Sequence, residues 1–281
     1  MVVGVVTAAL LLAAYAWSVG NYKRGLDETF VAPAPPADAV AVQLVPFSVD
    51  PSQQFAPTEL AIYPGADLVT PEGRLRRDIA VDVFGLRSTT VTFRRGEIPT
   101  PVSIDVPTLG VVQQYPFDSY SFDVRARTVQ ERASGNTANP PALPMSLLSF
   151  FKVPGWKYTS EVSADRYSTG THVVAGTIAR DGATITIALI FLVLMVMFAA
   201  LSVVTIVAGL RGRLEVTIGT AAWLTGAVFA LVSLRNGLPG NPPIGSWMDI
   251  LAYFWVIAVI MLMIGATVIT LVIRGRPVRT D

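Results

Sequence analysis

The chain has no cysteine, one histidine and three lysines in 281 residues. Without thiols it can form no disulfide, thiolate nucleophile or cysteine metal site. His172, the single imidazole, lies in a strand-like stretch and reads as a structural or surface residue. Charge is scarce too: 15% of residues are Asp, Glu, Lys or Arg, against roughly 25% in ordinary soluble domains. A net charge of +1 supplies no basic surface for nucleic acid. No G-x-S-x-G elbow, H-E-x-x-H, Walker loop or G-x-G-x-x-G occurs. Carboxylates are scattered, as in Asp118 with Asp123, or Asp78 with Asp82, whose even offset would share a strand face. Nothing selects a catalytic pair. The expectation is a non-enzyme with no catalytic residue, no metal and no cofactor.

Apolar residues are what the chain has in quantity, 52% of the total with a mean hydropathy of +0.53. Eighteen arginines in an Ala/Val-rich background point to a GC-rich, actinobacterial kind of genome. Residues 183–210 are twenty-eight consecutive positions without an ionisable side chain. About 20 apolar residues cross a bilayer as a helix, so this run spans with length to spare. Residues 216–234 and 250–273 are two further spans. Residues 1–20 form an apolar run that reads as an uncleaved N-terminal transmembrane anchor. Ala14-Tyr15-Ala16 offers a signal-peptide alternative, but no Lys or Arg precedes the run.

A proline-rich linker, residues 21–38, leads into a region patterned in strands. Val40 to Leu44, Ile79 to Val83, Thr89 to Phe93, Val102 to Val106, Tyr120 to Arg125, Tyr158 to Ala164 and His172 to Ile178 are short, β-branched or aromatic, and bounded by turn residues. The fold class expected is a membrane α + β protein, with a β-sandwich-like domain over 39–182 and three helices over 183–281. Ser134 to Pro144 reads as an extended excursion. Met145 to Trp156 reads as a core-filling turn of helix, with a membrane- or partner-touching segment as the alternative.

Arg211 and Arg213 flank one turn and Arg274, Arg276 and Arg279 fill the tail, whereas Asn236 to Met248 carries no Lys or Arg. Positive-inside bias then puts both termini in the cytoplasm of a bacterial inner membrane, and residues 21–182 outside. Lys23 and Arg24 oppose that bias, but the long segment after them translocates largely regardless of charge. Arg235 and Asp249 fall at the outer ends of neighbouring helices, where they can pair across the loop. Ala222, Gly226 and Ala230 make a small-residue stripe suited to close helix packing, within the chain's own bundle first and against another subunit second. Thr184, Thr186, Ser202, Thr205, Thr217, Thr220 and Thr225 would line a pore or, more simply, bond their own helix backbone or a neighbouring helix. Trp247, Tyr253, Phe254 and Trp255 mark an aromatic collar.

Gln114 to Val124 is the most distinctive stretch. Pro116 keeps Tyr115 extended, Asp118 is suited to cap the turn, and Tyr120 and Phe122 start a strand. Tyr115-Pro116-Phe117-Asp118 resembles the aromatic-Pro-Phe-Asp turn of pentameric ligand-gated channels, without their flanking cysteines and with a different number of spans. That likeness implies a turn coupling the outer domain to the loop from Arg235 to Asp249. Over its whole layout the chain is similar to an actinobacterial four-span membrane protein family of unknown function. Tyr115 to Tyr120, and Arg235 through Pro242-Pro243-Ile244-Gly245 to Asp249, carry that likeness. It implies architecture and a mycobacterial-type envelope, not an activity. The functional expectation is an accessory subunit whose partners are other membrane-protein subunits, plausibly hosted by a mammalian-cell-entry-type lipid importer, with lipid as a further ligand. The alternatives are a homo-oligomeric ligand-gated channel or sensor, and a lipid-binding envelope protein with Met145 to Trp156 as its entrance.

Overall fold

A computed structural model describes residues 34–85, 88–130, 141–151, 153–162 and 169–274, together with Ala13, Ala16 and Gly20. The anchor, most of the linker, the excursion over 134–140 and the arginine tail after Arg274 lie outside the described residues. The chain divides into two compact units, one of strands and one of helices, and Val112–Phe117 belongs to the helical one.

The β unit holds two sheets. One has the order β5 (Val102–Pro107), β2 (Phe55–Pro64), β1 (Val40–Pro46) and β8 (Met145–Ser149). The other runs β4 (Thr89–Phe93), β3 (Ile79–Phe84), β7 (Ser119–Gln130), β10 (His172–Arg180), β9 (Trp156–Val162), with the two-residue β6 (Leu109–Gly110) also on β7. All pairings are antiparallel except β1 with β8. Alternation does the sorting. In β2, Ala56, Thr58, Leu60 and Ile62 turn inward, and in β7 Tyr120, Val124, Ala126 and Thr128 do the same. Val42, Leu60, Ile79, Val81, Val124, Met145 and Leu147 form one buried core.

Besides the two-residue β6, two strands depart from the sequence expectation. Met145–Ser149 is a strand parallel to β1 and not a turn of helix, because its backbone takes up the ladder of β1 while Met145 and Leu147 enter the core. A five-residue apolar run is compatible with either state by periodicity alone. β2 has no clear strand signature in the sequence. Its inward positions include Ala56 and Thr58, which mute the apolar signal, and Pro57 lies one position beyond the last β1 rung at Thr58.

Among the described residues, the helical unit comprises α1 (Gly182–Leu210), α2 (Ile218–Asn236) and α3 (Phe254–Arg274), with a π-helical turn over Asp249–Tyr253 leading into α3. All three spans are long and apolar enough to cross a membrane. Met195, Ile206, Leu224, Ala227, Leu231, Val256 and Ile260 pack into a buried cluster. The opposite faces are apolar as well, with Val193, Val204, Phe229, Leu262 and Ile269 exposed. A helix apolar on all sides suits hydrocarbon, where no polar face is wanted. At 29 residues α1 is about 43 Å long, more than the ~30 Å hydrocarbon layer. Its end is closed by Gly212 at φ +70, with the Arg213 N–H donating to the Ala208 carbonyl at 2.9 Å.

Candidate functional site

Among the described residues, each unit contains one buried charge centre. In the β unit, β10 aligns Ala179 with Ser119 and Arg180 with Trp156, so Asp118, Arg180 and Trp156 fall in a row across three strands. Tyr120, two residues on from Asp118, shares its face. Arg180 Nε donates to both Asp118 oxygens at 3.1 and 3.2 Å, and the Tyr120 hydroxyl donates to Oδ2 at 2.9 Å. The guanidinium lies 3.8 Å over the Trp156 ring, which Tyr120 meets edge-on at 5.8 Å. Asp118 and Arg180 side chains are 0% and 2% exposed. Burial, helped by the Asp118 carboxylate, pushes the Tyr120 phenol above its ordinary range. Asp118 is thus the acceptor of a cross-strand ion pair, in place of the turn cap expected of it. Arg180 and Trp156 were not singled out from sequence. The available signal was an arginine closing an apolar strand immediately before the longest span.

In the helical unit, Arg235 meets Asp249 twice, Nε to Oδ1 at 3.0 Å and Nη2 to Oδ2 at 2.8 Å. Nη2 also donates to the Pro242 carbonyl at 3.0 Å, and the Gly245 N–H to Asp249 Oδ2 at 2.9 Å. Gly245 sits at φ +95, a conformation that favours glycine. One ion pair therefore gathers the two helix ends and the loop between them. Tyr115 is fully buried with Ala188, Phe191, Leu192, Leu238 and Met248, and its hydroxyl donates to the Pro239 carbonyl at 3.0 Å. The Tyr115–Pro116 peptide is cis. Phe117 is exposed. Of the Tyr-Pro-Phe-Asp residues, the first three belong to the helical unit and Asp118 to the β unit.

Among the described residues, the small-residue stripe does not pack against another helix. Ala222 and Gly226 are exposed and Ala230 is partly so, and a Cβ on Gly226 would meet nothing within 4 Å. α2 packs instead through Leu224, Ala227 and Leu231, its buried residues, of which the two leucines fill the space between helices. Thr186, Ser202, Thr205 and Thr225 donate to carbonyls four residues earlier. Asp78 and Asp82 do not form a pair: Asp78 accepts the Arg95 N–H at 2.6 Å, and Asp82 takes Thr90 and Arg127 at 2.8 and 2.9 Å. His172 is buried in β10. Among the described residues no cluster of His, Asp and Glu is arranged to hold a metal.

A model for a domain of unknown function, DUF4436, matches residues 30–177, over half of the chain. The chain belongs to the DUF4436 family. A second domain of unknown function, DUF8686, matches residues 180–274. No curated protein matches the chain. In this DUF4436 domain the cavity between the sheets is about 20 Å³, room for one water molecule. The rings of Phe122, Tyr158 and Phe151 stack in series beside it at 5.4 and 5.0 Å. The DUF8686 segment begins at Arg180, so the two family segments adjoin at the end of β10.

Proposed function

We propose that this chain is a non-catalytic accessory subunit of a larger inner-membrane assembly, with its β domain outside the cell and the Arg211–Arg213 turn in the cytoplasm. The observation that carries this reading is how the polar groups of the spans are used. The charged residues of the helical spans, Arg235 and Asp249, engage each other and the adjoining loop, and six hydroxyls bond their own helices. Such helices offer no charged relay of the kind that pumps and coupled transporters use. The outward small-residue face of α2 supports docking against a helix of another subunit. A lipid-handling envelope assembly of the mammalian-cell-entry type is the host favoured by the actinobacterial character of the sequence.

Native mass spectrometry of the tagged full chain, drawn from its own membrane in gentle detergent, tests the reading. Stoichiometric membrane partners are expected, and their loss in a Gly226→Leu variant that still folds. Recovery of only a monomer or homo-oligomer overturns it. A homo-oligomeric ligand-gated channel or sensor is the second reading, favoured by the seating of Tyr115 among α1 and loop residues. That reading predicts a homomeric ring and conductance in a planar bilayer.

A further inference from the structure

β7 is flanked on one edge by two strands that do not meet. β3 pairs with it from Gln130 to Arg125, ending at Phe84, and β6 pairs only with Ser121 and Tyr120. Among the described residues, Phe122, Asp123 and Val124 therefore have a ladder partner on the β10 side alone. Three missing rungs correspond to about 10 Å of strand. A groove of about 420 Å³ opens at this gap, walled by Phe84, Pro107 and Leu109 with Asp123 and Arg125 at its floor and rim.

The register fixes which side chains share the groove. Phe84 lies opposite Arg125 and Leu109 opposite Ser121, so both project on the face that carries Asp123. Leu109 is 54% exposed. Asp123 touches Arg125 at 3.4 Å, with both side chains more than half exposed, an arrangement that contributes little and exchanges partners readily. Arg127, the next cation along the strand, is already held by Asp82 at 2.9 Å and lies over the Phe84 ring.

We propose that this gap is a docking site for an extended loop apex of a partner protein, aligned antiparallel to β7 and carrying a lysine or arginine at its centre. Unpaired strand backbone recruits extended peptide, because the ladder groups supply the hydrogen bonds. The pairing of β3 stops at Phe84 and Pro107 closes the other side of the groove, so the guest is a short apex and not a long strand. Its central side chain lies opposite Asp123, between Phe84 and Leu109. A long aliphatic stem covers those apolar groups while its cationic end meets the carboxylate. An acidic guest residue would face Asp123 and be rejected. This rests on the accessory-subunit reading and names the surface and partner chemistry for it.

The test uses the full chain in detergent micelles and an end-blocked heptapeptide, Ser-Thr-Val-Lys-Val-Thr-Ser, beside its counterpart with a central Glu. Amide hydrogen exchange of those N–H groups among Phe122 to Val124 that face the gap should slow about tenfold with the Lys peptide at ten times its Kd. It should be unchanged with the Glu peptide, and the Lys effect should weaken in Asp123→Asn. Equal slowing by both peptides, or none at millimolar Lys peptide, overturns the proposal. Pull-down separates the two readings. If wild type and Asp123→Lys retain a membrane partner equally well, the groove falls and the accessory reading stands. If wild type comes alone but the Lys peptide still protects, the accessory reading falls and the groove stands.

Discussion

Asp118→Ala is the substitution with the largest effect expected in the β unit. It leaves the Arg180 guanidinium 2% exposed with its carboxylate partner gone, and deprives the buried Tyr120 hydroxyl of its acceptor. Removing one member of a buried ion pair costs about 3–5 kcal/mol. At about 1.4 kcal/mol per tenfold, opening of β7 and β10 should rise by about two to three and a half orders of magnitude. Amide hydrogen exchange on the full chain in micelles reads that change strand by strand. The internal control is Asp123→Ala on the same strand, whose partner Arg125 is 59% exposed; loss of that pair should cost less than ~1 kcal/mol. A double variant, Asp118→Leu with Arg180→Met, removes both charges and should recover most of the loss, although the stacking of the guanidinium on Trp156 goes with it. The reasoning is refuted if Asp118→Ala changes exchange no more than the control does. It is equally refuted if the double variant is destabilised by the sum of its singles.

Gly176→Ala should destabilise the same sheet by about 1–3 kcal/mol, because the new Cβ would meet the Thr159 carbonyl and the Phe122 ring; thermal melts of the full chain check it. The pH dependence follows from Tyr120, and from Tyr158, whose phenol is also raised by burial. The folded chain keeps these protons above pH 10, where the unfolded chain releases them, so stability should fall as pH rises through 10 and beyond. Tyr120→Phe should flatten that fall; an identical alkaline profile in the variant counts against the assignment. Asp249→Asn should loosen the loop from Leu238 to Met248 by about 1.5–3 kcal/mol, seen as faster proteolysis within it, since Arg235 loses its charged acceptor. Unchanged cleavage would mean that the loop is held by Tyr115 and its neighbours instead.

The spans and most strands were legible in advance because burial imposes a period on the residues themselves. Ile79–Phe84 and Val102–Pro107 alternate plainly, and Gly182–Leu210 has no ionisable side chain to interrupt it. β2 hid behind Ala56, Thr58 and Pro57, and Met145–Ser149 was too short for periodicity to separate strand from helix. The stripe on α2 misled for another reason. Small residues permit close approach but do not say to what, and Leu224, Ala227 and Leu231 take the buried face of the helix.

Composition and hydrophobic pattern by themselves determined a strand-rich segment followed by three bilayer-length helices, since both depend on free energies that accrue residue by residue along the chain. Only the tertiary structure decided that Asp118 belongs with Arg180, sixty-two positions away, and that β7 lacks a neighbour at Asp123. Those outcomes depend on which strands lie side by side, and strand order carries no local signature, because the backbone groups that pair are the same in every residue.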